Sequence, residues 1–472
     1  MRGEPVSRLG RFLVLLAVVG ALALLLVLYT ASSAILTHGP VVGAVTTTSA
    51  TVFVRTNKEA TVSVVYSENR TLSPSRRSAG VLTSASSDFT RQIVLDSLAP
   101  SSTYYLDVLV NGRSQLARQR PSFATYAPDS VMQDFSFVVL TDFAVPRRGL
   151  PYVATFRHAS AENPAFVLIG GDFDHRDPSG ASAEIARAAK RQMFKQLYRP
   201  ATWLDDIISA VQHRYPAPSG AMREFTDLVL RRYPVVHVWD DHDFGANDSD
   251  KTYPWKAVSQ EVIREYFPLY GSEPNGIWQR FRYAQADVFI LDLRSQRDPD
   301  PAADTPDKSI LDGDNLGAAG QMAWLQEGLR TSTARWKFIV STSVFNPTLR
   351  KYDSWSDYTY EQRRLLDFIK TSDITGVIIL SGDVHFGAID DGSNAKLPEM
   401  VSPGANMDWG KCGTVKNTGA VATVGLWSQG IYEKSHGDCN GYGLVRVLSN
   451  PDRVELLVKG PNGDTLLRHT VQ

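Results

Sequence analysis

The sequence predicts an α/β layered domain, preceded by a small all-β domain and one apolar N-terminal helix. Three observations carry this. From about Phe135 onward, short apolar strands alternate with helical stretches, as in a layered α/β body. Before that, runs such as Ala50-Thr-Val-Phe-Val-Arg55 and Ala60-Thr-Val-Ser-Val-Val-Tyr66 alternate with period two and are rich in β-branched residues. At the start, Phe12 to Tyr29 is continuously apolar. The length of 472 residues exceeds one compact core, so two or three domains are expected.

Residues 1–37 read as an address or an anchor. Arg2, Arg8 and Arg11 precede the apolar run, and no charged residue occurs between Arg11 and Arg55. A spanning helix needs ~20 apolar residues and a signal-peptide core about 7–15. The run over 12–29 falls between them. Ala31-Ser-Ser-Ala34 offers small residues for cleavage, whereas the unbroken run favours an uncleaved anchor. In both cases the basic residues stay cytoplasmic and the rest is exported, to the periplasm or cell surface, or secreted after cleavage. Cys412 and Cys439 could form one disulfide in that compartment.

Residues 38–128 form the expected β sandwich, with Ser, Asn, Gly and Pro separating the strands. Residues 129–472 form the α/β domain. Helices are expected over 181–197, 318–329 and 360–370. Strands are expected at Phe135–Leu140, Phe166–Ile169, Val235–Val238, Val288–Leu291, Phe338–Val340 and Val377–Leu380. Tyr442–Leu448 and Val454–Val458 return to strand character.

Composition excludes several classes. Lys+Arg is 49 against Asp+Glu 50, so there is no nucleic-acid-binding signature. Two cysteines exclude a disulfide scaffold and a multi-cysteine metal framework. No Gly-x-Ser-x-Gly elbow supports a serine hydrolase.

Four strands end alike. Phe135–Leu140 runs into Thr141-Asp142, and Phe166–Ile169 into Gly170-Gly171-Asp172. Val235–Trp239 runs into Asp240-Asp241-His242-Asp243, and Val377–Leu380 into Ser381-Gly382-Asp383-Val384-His385. In layered α/β domains the crevice lies beyond the carboxyl ends of the strands, so these groups should converge. Clustered carboxylates repel unless cations neutralise them. Acids with imidazoles suit hard or borderline ions: calcium, magnesium, manganese, iron or zinc. Asn247 adds a neutral oxygen donor. Each ending alone has a plain reading: Gly-Asp as a turn, Asp240-Asp241 as a helix cap, His385 as a structural imidazole. Asp-Asp-His-Asp directly after a buried strand is harder to dismiss, because its desolvation needs compensation. Two adjacent cations can activate a bridging water and clamp phosphate oxygens while a histidine protonates the leaving alkoxide, which is phosphoester hydrolysis.

The chain resembles the PhoD-type alkaline phosphatases of the calcineurin-like metallophosphoesterase superfamily. The resemblance rests on Gly171-Asp172, Trp239-Asp-Asp-His-Asp-Phe-Gly-Ala-Asn247, Leu291-Asp-Leu-Arg294 with Arg297, Gly320-Gln-x-x-Trp-Leu325 and Leu380-Ser-Gly-Asp-Val-His385. It implies a four-layer α/β/β/α sandwich behind an N-terminal fibronectin-like domain. It implies two or more metal ions, calcium or iron by family, with manganese and zinc as alternatives. Asp142, Asp172, Asp241, Asn247, Asp383 and His385 become the implied ligands, with Asp172 bridging. His242, beside Asp241, becomes the general acid or phosphate-orienting group. Arg294, Arg297, Tyr198 and Arg199 become the implied substrate contacts. The chain departs from the pattern in three places. Asp142 stands where many members have an iron-ligating cysteine, Asp243 where Glu is commoner, and Phe173-Asp174-His175 where a tyrosine-bearing sequence is usual. Asp174 or His175 either adds a ligand or faces solvent. The competing reading is an exported, metal-stabilised binding module without catalysis. Location alone admits a lipid or cell-wall phosphodiester as substrate.

Overall fold

The computed structural model describes residues 33–472 apart from 117–119, 144–153, 174, 176, 178–179, 199–223, 272, 348–352, 408–426 and 434–438. The apolar run over 12–29, Asp174, Arg199 and Cys412 lie outside the described residues, as does the side chain of Tyr198. Among the described residues, no helix is long and apolar enough to cross a membrane. Cys439 is buried and disulfide-bonded.

Two large sheets form the body. In the first, the parallel strands Phe135–Phe143, Phe166–Ile169 and Val235–His237 are central. Tyr442–Ser449, Asp452–Lys459 and Thr465–Val471 extend it antiparallel on one side. On the other side it continues into the N-terminal region, where Leu36–Gly43 lies parallel to Val235–His237 at Gly43 and Val235. Ala50–Thr56 and Thr90–Leu95 then follow antiparallel. One sheet of the N-terminal β region is thus an extension of the main sheet. The other is separate and is built on Ala60–Ser67 and Thr103–Val110.

The second large sheet has parallel strands Ala286–Ile290, Trp336–Val340 and Val377–Ser381 at its centre. Period-two alternation sets its faces. Val288, Ile290, Phe338, Val340, Ile378 and Leu380 pack in one core with Phe137, Val139 and Leu444 of the first sheet. The Phe137 and Phe338 rings meet edge to face at 5.2 Å. Phe289, Ile339 and Ile379 point the other way, onto Leu325 and Leu329 of helix Gln321–Thr331 and Leu365 and Ile369 of helix Thr359–Thr371. Helices Ala183–Tyr198 and Lys256–Tyr266 flank the first sheet; the Tyr266 ring packs at a tilt against Phe194 and against Phe53, each at 5.7 Å. The order is helix, sheet, sheet, helix. Both strand sets are apolar on both faces, as expected of doubly covered parallel sheets.

Candidate metal centre

The two sheets touch at the carboxyl ends of their central strands. Thr141 fills the space there. A Cβ on Gly170 or on Gly382 would each lie 2.7 Å from the Thr141 methyl. Glycine at both positions therefore lets the strand ends of the two sheets close on one another. Ser402 donates to the Val139 carbonyl at 3.0 Å and adds a tie.

Asp142, Asp172, Asp383 and His385 stand at these ends, all with left-handed φ of 54°, 55°, 71° and 56°. Such a conformation costs roughly 1–3 kcal/mol per non-glycine residue and persists only where surroundings impose it. Backbone bonds impose it here: Asp142 donates to the Gly171 carbonyl at 3.3 Å and Phe143 to that of Asp172 at 2.7 Å. Gly171 has φ 91°, and a Cβ there would fall on the backbone nitrogen of Asp240. Gly171→Ala is therefore expected to destabilise the protein by at least about 2 kcal/mol, strain plus clash. Gly112→Ala, at φ 76° in open space, should cost about 1 kcal/mol. Chemical denaturation of both variants checks the difference.

The structure brings together most of the expected ligands. Four sets have donor atoms within 4.8 Å of one another: Asp142, Asp172, His175 and His385; Asp172, Asp241 and His242; Asp172, Asp240, Asp241 and Asp383; and Asp241, Asp248 and Asp353. Asp172 belongs to three of them. All four carboxylate oxygens of Asp142 and Asp172 are buried without a hydrogen-bond partner. Burial is the largest cause raising the Asp172 pKa well above the usual range, followed by Asp241, Asp240, Asp142 and Asp243. Burial also raises Asp142, against the pull of His385. Desolvated, mutually repelling carboxylates with no donors are what a bound cation would satisfy. The donor set of oxygens and imidazoles fits divalent ions.

Other members of the acidic motif do different work. Asp243 accepts from the backbone N–H of Asp172 at 2.6 Å, of Phe173 at 3.0 Å and of Asp240 at 3.2 Å. It ties two strand ends together rather than facing the cluster. Burial raises its pKa to about 7 despite these bonds. Lys190 donates to the carbonyls of Asp243 and Phe244 at 2.9 and 2.7 Å, clamping the four-residue helix Asp241–Phe244. His242 Nδ1 lies 2.6 Å from Asp177 Oδ1. Burial opposes charge on His242, but Asp241 and Asp177 outweigh it and its pKa lies above the ordinary value. Asn247 is exposed on the turn after the helix.

Arg294 and Arg297 need correction. Expected on phosphate, both are 0% exposed, with their nitrogens committed to buried carboxylates. Arg294 donates to Asp240 through Nε and to both oxygens of Asp353 at 2.6 and 3.2 Å. Arg297 binds Asp353 at 2.6 Å and Asp300 at 2.6 and 3.0 Å. The two guanidiniums compensate buried acids, and Arg294 braces Asp240. Asp353, which joins Asp241 in one of the sets, and Asp177, which meets His242, are neighbours that the sequence reading did not single out, whereas Asp240 lies in the acidic motif. Asp353 carries no motif signal, and only tertiary folding delivers it.

Residues 146–410, more than half of the chain, match the family described as PhoD-like phosphatase. Residues 33–128 match a domain of unknown function. Alkaline phosphatase D of Bacillus subtilis (strain 168) is 31% identical over 182 residues, covering 32% of this chain and 31% of that protein. The matched segment thus spans about a third of that relative. The solved structure of PhoD shares the fold at TM-score 0.65 and 17% identity, over 90% of this chain and 87% of that one. The purple acid phosphatase PPD1 from yellow lupin does so at TM-score 0.57 and 10% identity, over 92% and 74%. Motif, geometry and family match converge, and the chain belongs to the PhoD-like phosphatase family, a family of phosphoesterase enzymes.

Proposed function

We propose that this chain is an exported, metal-dependent phosphoester hydrolase of the alkaline phosphatase or phosphodiesterase type. The carrying observation is the set of four buried, donor-free oxygens on Asp142 and Asp172, inside a cluster completed by Asp241, Asp383 and His385. These five residues would hold the ions, with Asp172 shared and Asn247 closing the shell from the solvent side. Bound ions would supply Lewis-acid charge stabilisation and an activated water. The residues of the chain supply the rest. Asp177 holds the His242 ring through Nδ1, leaving Nε2 for an oxygen of the substrate. His242, when protonated, would donate a proton to the leaving alkoxide or hold a phosphate oxygen. The buried strand ends fix these groups on rigid elements.

The same reading divides the chain into residues 1–37, 38–128 and 129–472. The apolar run over 12–29 supports export, as an anchor or as a cleaved signal.

Asp177→Asn tests the role of His242. Losing this carboxylate lowers the His242 pKa, so the alkaline limb of the rate profile should move to lower pH. A limb that stays or rises would show that Asp177 does not sustain the acid. The reaction class is tested with the full chain, reloaded with metal and given a mono- and a bis-nitrophenyl phosphate. Turnover of either ester is expected, and the faster one names the substrate class. A folded, metal-loaded protein inert to both would favour a binding module.

A further inference from the structure

A cleft of about 630 Å3 lies between the outer sheet of the N-terminal region and the α/β body. One wall carries Arg70, Tyr105 and Arg120, and the other Asp227, Arg231 and Arg232. Asn163 and Tyr233, also in the lining, stand just before strands Phe166–Ile169 and Val235–His237, whereas Asp172 and Asp240 follow the opposite ends of those strands. Roughly six positions at ~3.3 Å each put the cleft about 20 Å from the metal centre. Four arginines meet one aspartate here, in a chain whose formal net charge is -1. Asp227 is taken by Arg231 at 2.9 Å. Among the described residues, Arg70, Arg120 and Arg232 have no carboxylate partner. Arg120 donates from Nη1 to the Arg70 carbonyl at 2.6 Å, which fixes its guanidinium, while its buried Nε has no hydrogen-bond partner. A second cleft of about 410 Å3 continues the first and shares Ser122, Asn163, Arg232 and Tyr233 with it. Its one acid, Asp134, is engaged by the N–H and O–H of Ser449, each at 2.7 Å.

We propose that this groove binds a short linear chain of phosphates, of the phosphoanhydride class, at a site separate from the metal centre and independent of it. Guanidiniums fork onto phosphate oxygens and stay charged at every working pH. Like charges gathered in one recess without counter-charges raise the local potential and draw an anion in. Arginines on both walls of a single recess suit phosphates that follow one another directly, each with several acceptor oxygens. The two joined clefts suit an extended ligand rather than a single ion. An acidic peptide would match the charge, but its own backbone N–H and C=O groups would need partners as well. A membrane surface is flat, and the arginines line a recess between two walls.

The test titrates the full chain, stripped of metal so that the probe draws no ions from it. The probes are tripolyphosphate, orthophosphate, an oligoglutamate of matching charge, and vesicles of phosphatidylglycerol in phosphatidylcholine. Calorimetry should find tripolyphosphate bound more than ~10-fold tighter than orthophosphate or the oligoglutamate, and weakened by added salt. Arg70→Glu and Arg232→Glu should each weaken it at least ~10-fold. Both arginines are exposed and without a carboxylate partner among the described residues, so these variants should fold. Arg363→Glu makes the same charge change at an exposed position of helix Thr359–Thr371 and should leave the affinity within about twofold. A wild type that does not bind tripolyphosphate, or groove variants that bind it as the wild type does, would overturn the assignment. So would equal affinity for the oligoglutamate, or binding of the vesicles alone; these would point to an acidic segment or a membrane instead. If the stripped chain does not fold, tripolyphosphate should protect Arg120 and Arg232 of the metal-loaded chain from phenylglyoxal, read by peptide mass spectrometry. No protection there would overturn the assignment equally.

Discussion

Asp172→Asn is expected to lower turnover on the order of 10³-fold or more, and at the same time to stabilise the metal-free protein. The two effects have one cause. Asp172 is shared by three of the four ligand sets and has both oxygens buried without donors. Burial, then four neighbouring aspartates, push its pKa well above the usual range. Asparagine keeps the shape, removes the repulsion and cannot charge. The sign follows by linkage. An acid whose folded pKa is raised binds more protons folded than unfolded, so metal-free stability falls as pH rises from about 4 through the raised value. Asp240 and Asp243, raised to about 7 chiefly by burial, act in the same direction. The metal-free wild type should thus gain stability on mild acidification, and the variant should show a shallower slope. Urea denaturation across pH, beside turnover of the reloaded proteins, reads both effects. A variant that keeps its turnover, or a metal-free form weakened like a core cavity, would contradict the role given to Asp172.

Arg294→Met is expected to cost about 3–5 kcal/mol. Its guanidinium is fully buried and neutralises Asp240 and Asp353, also buried. Truncation leaves Asp240 uncompensated, while Arg297 still holds Asp353. Because Asp240 joins Asp172, Asp241 and Asp383 in one set, ion affinity should fall along with stability. Arg294→Lys should recover only part, since an ammonium cannot fork onto two acids. If Arg294 instead met phosphate, the methionine variant would keep its stability and lose only substrate affinity. Thermal unfolding and the Michaelis constant together separate the two.

The body of the fold was legible because its signals are local. The runs Phe135–Leu140, Phe166–Ile169 and Val377–Leu380 are short, largely apolar and contain β-branched residues, and all three are central strands. Helices expected over 181–197, 318–329 and 360–370 appear as Ala183–Tyr198, Gln321–Thr331 and Thr359–Thr371. Thr465–Val471 escaped because it is an edge strand, half exposed and without clean alternation. Helix Lys256–Tyr266 escaped because polar residues interrupt its buried stripe of Val258, Val262 and Ile263. The continuity of Leu36–Gly43 with the main sheet was invisible, since a strand pairing across nearly two hundred positions leaves no trace in local pattern.

Half of the site was legible for the same reason. Asp142, Asp172, Asp241, Asp383 and His385 each follow a recognisable strand, and a crevice beyond strand ends gathers them. Arg294 and Arg297 misled because a sequence shows a guanidinium's chemistry and not its depth. Their partner Asp353 arrives from a segment with no motif.

The central claim is that this cluster is a metal centre that hydrolyses phosphoesters. The most direct measurement titrates a stripped full chain with transition ions and calcium, following bound ion per chain and turnover of a nitrophenyl phosphate in one experiment. The account predicts no turnover at the start, and activity that rises only as more than one ion binds per chain. Full turnover by the stripped protein, or saturation with ions and no turnover from a folded chain, would contradict it.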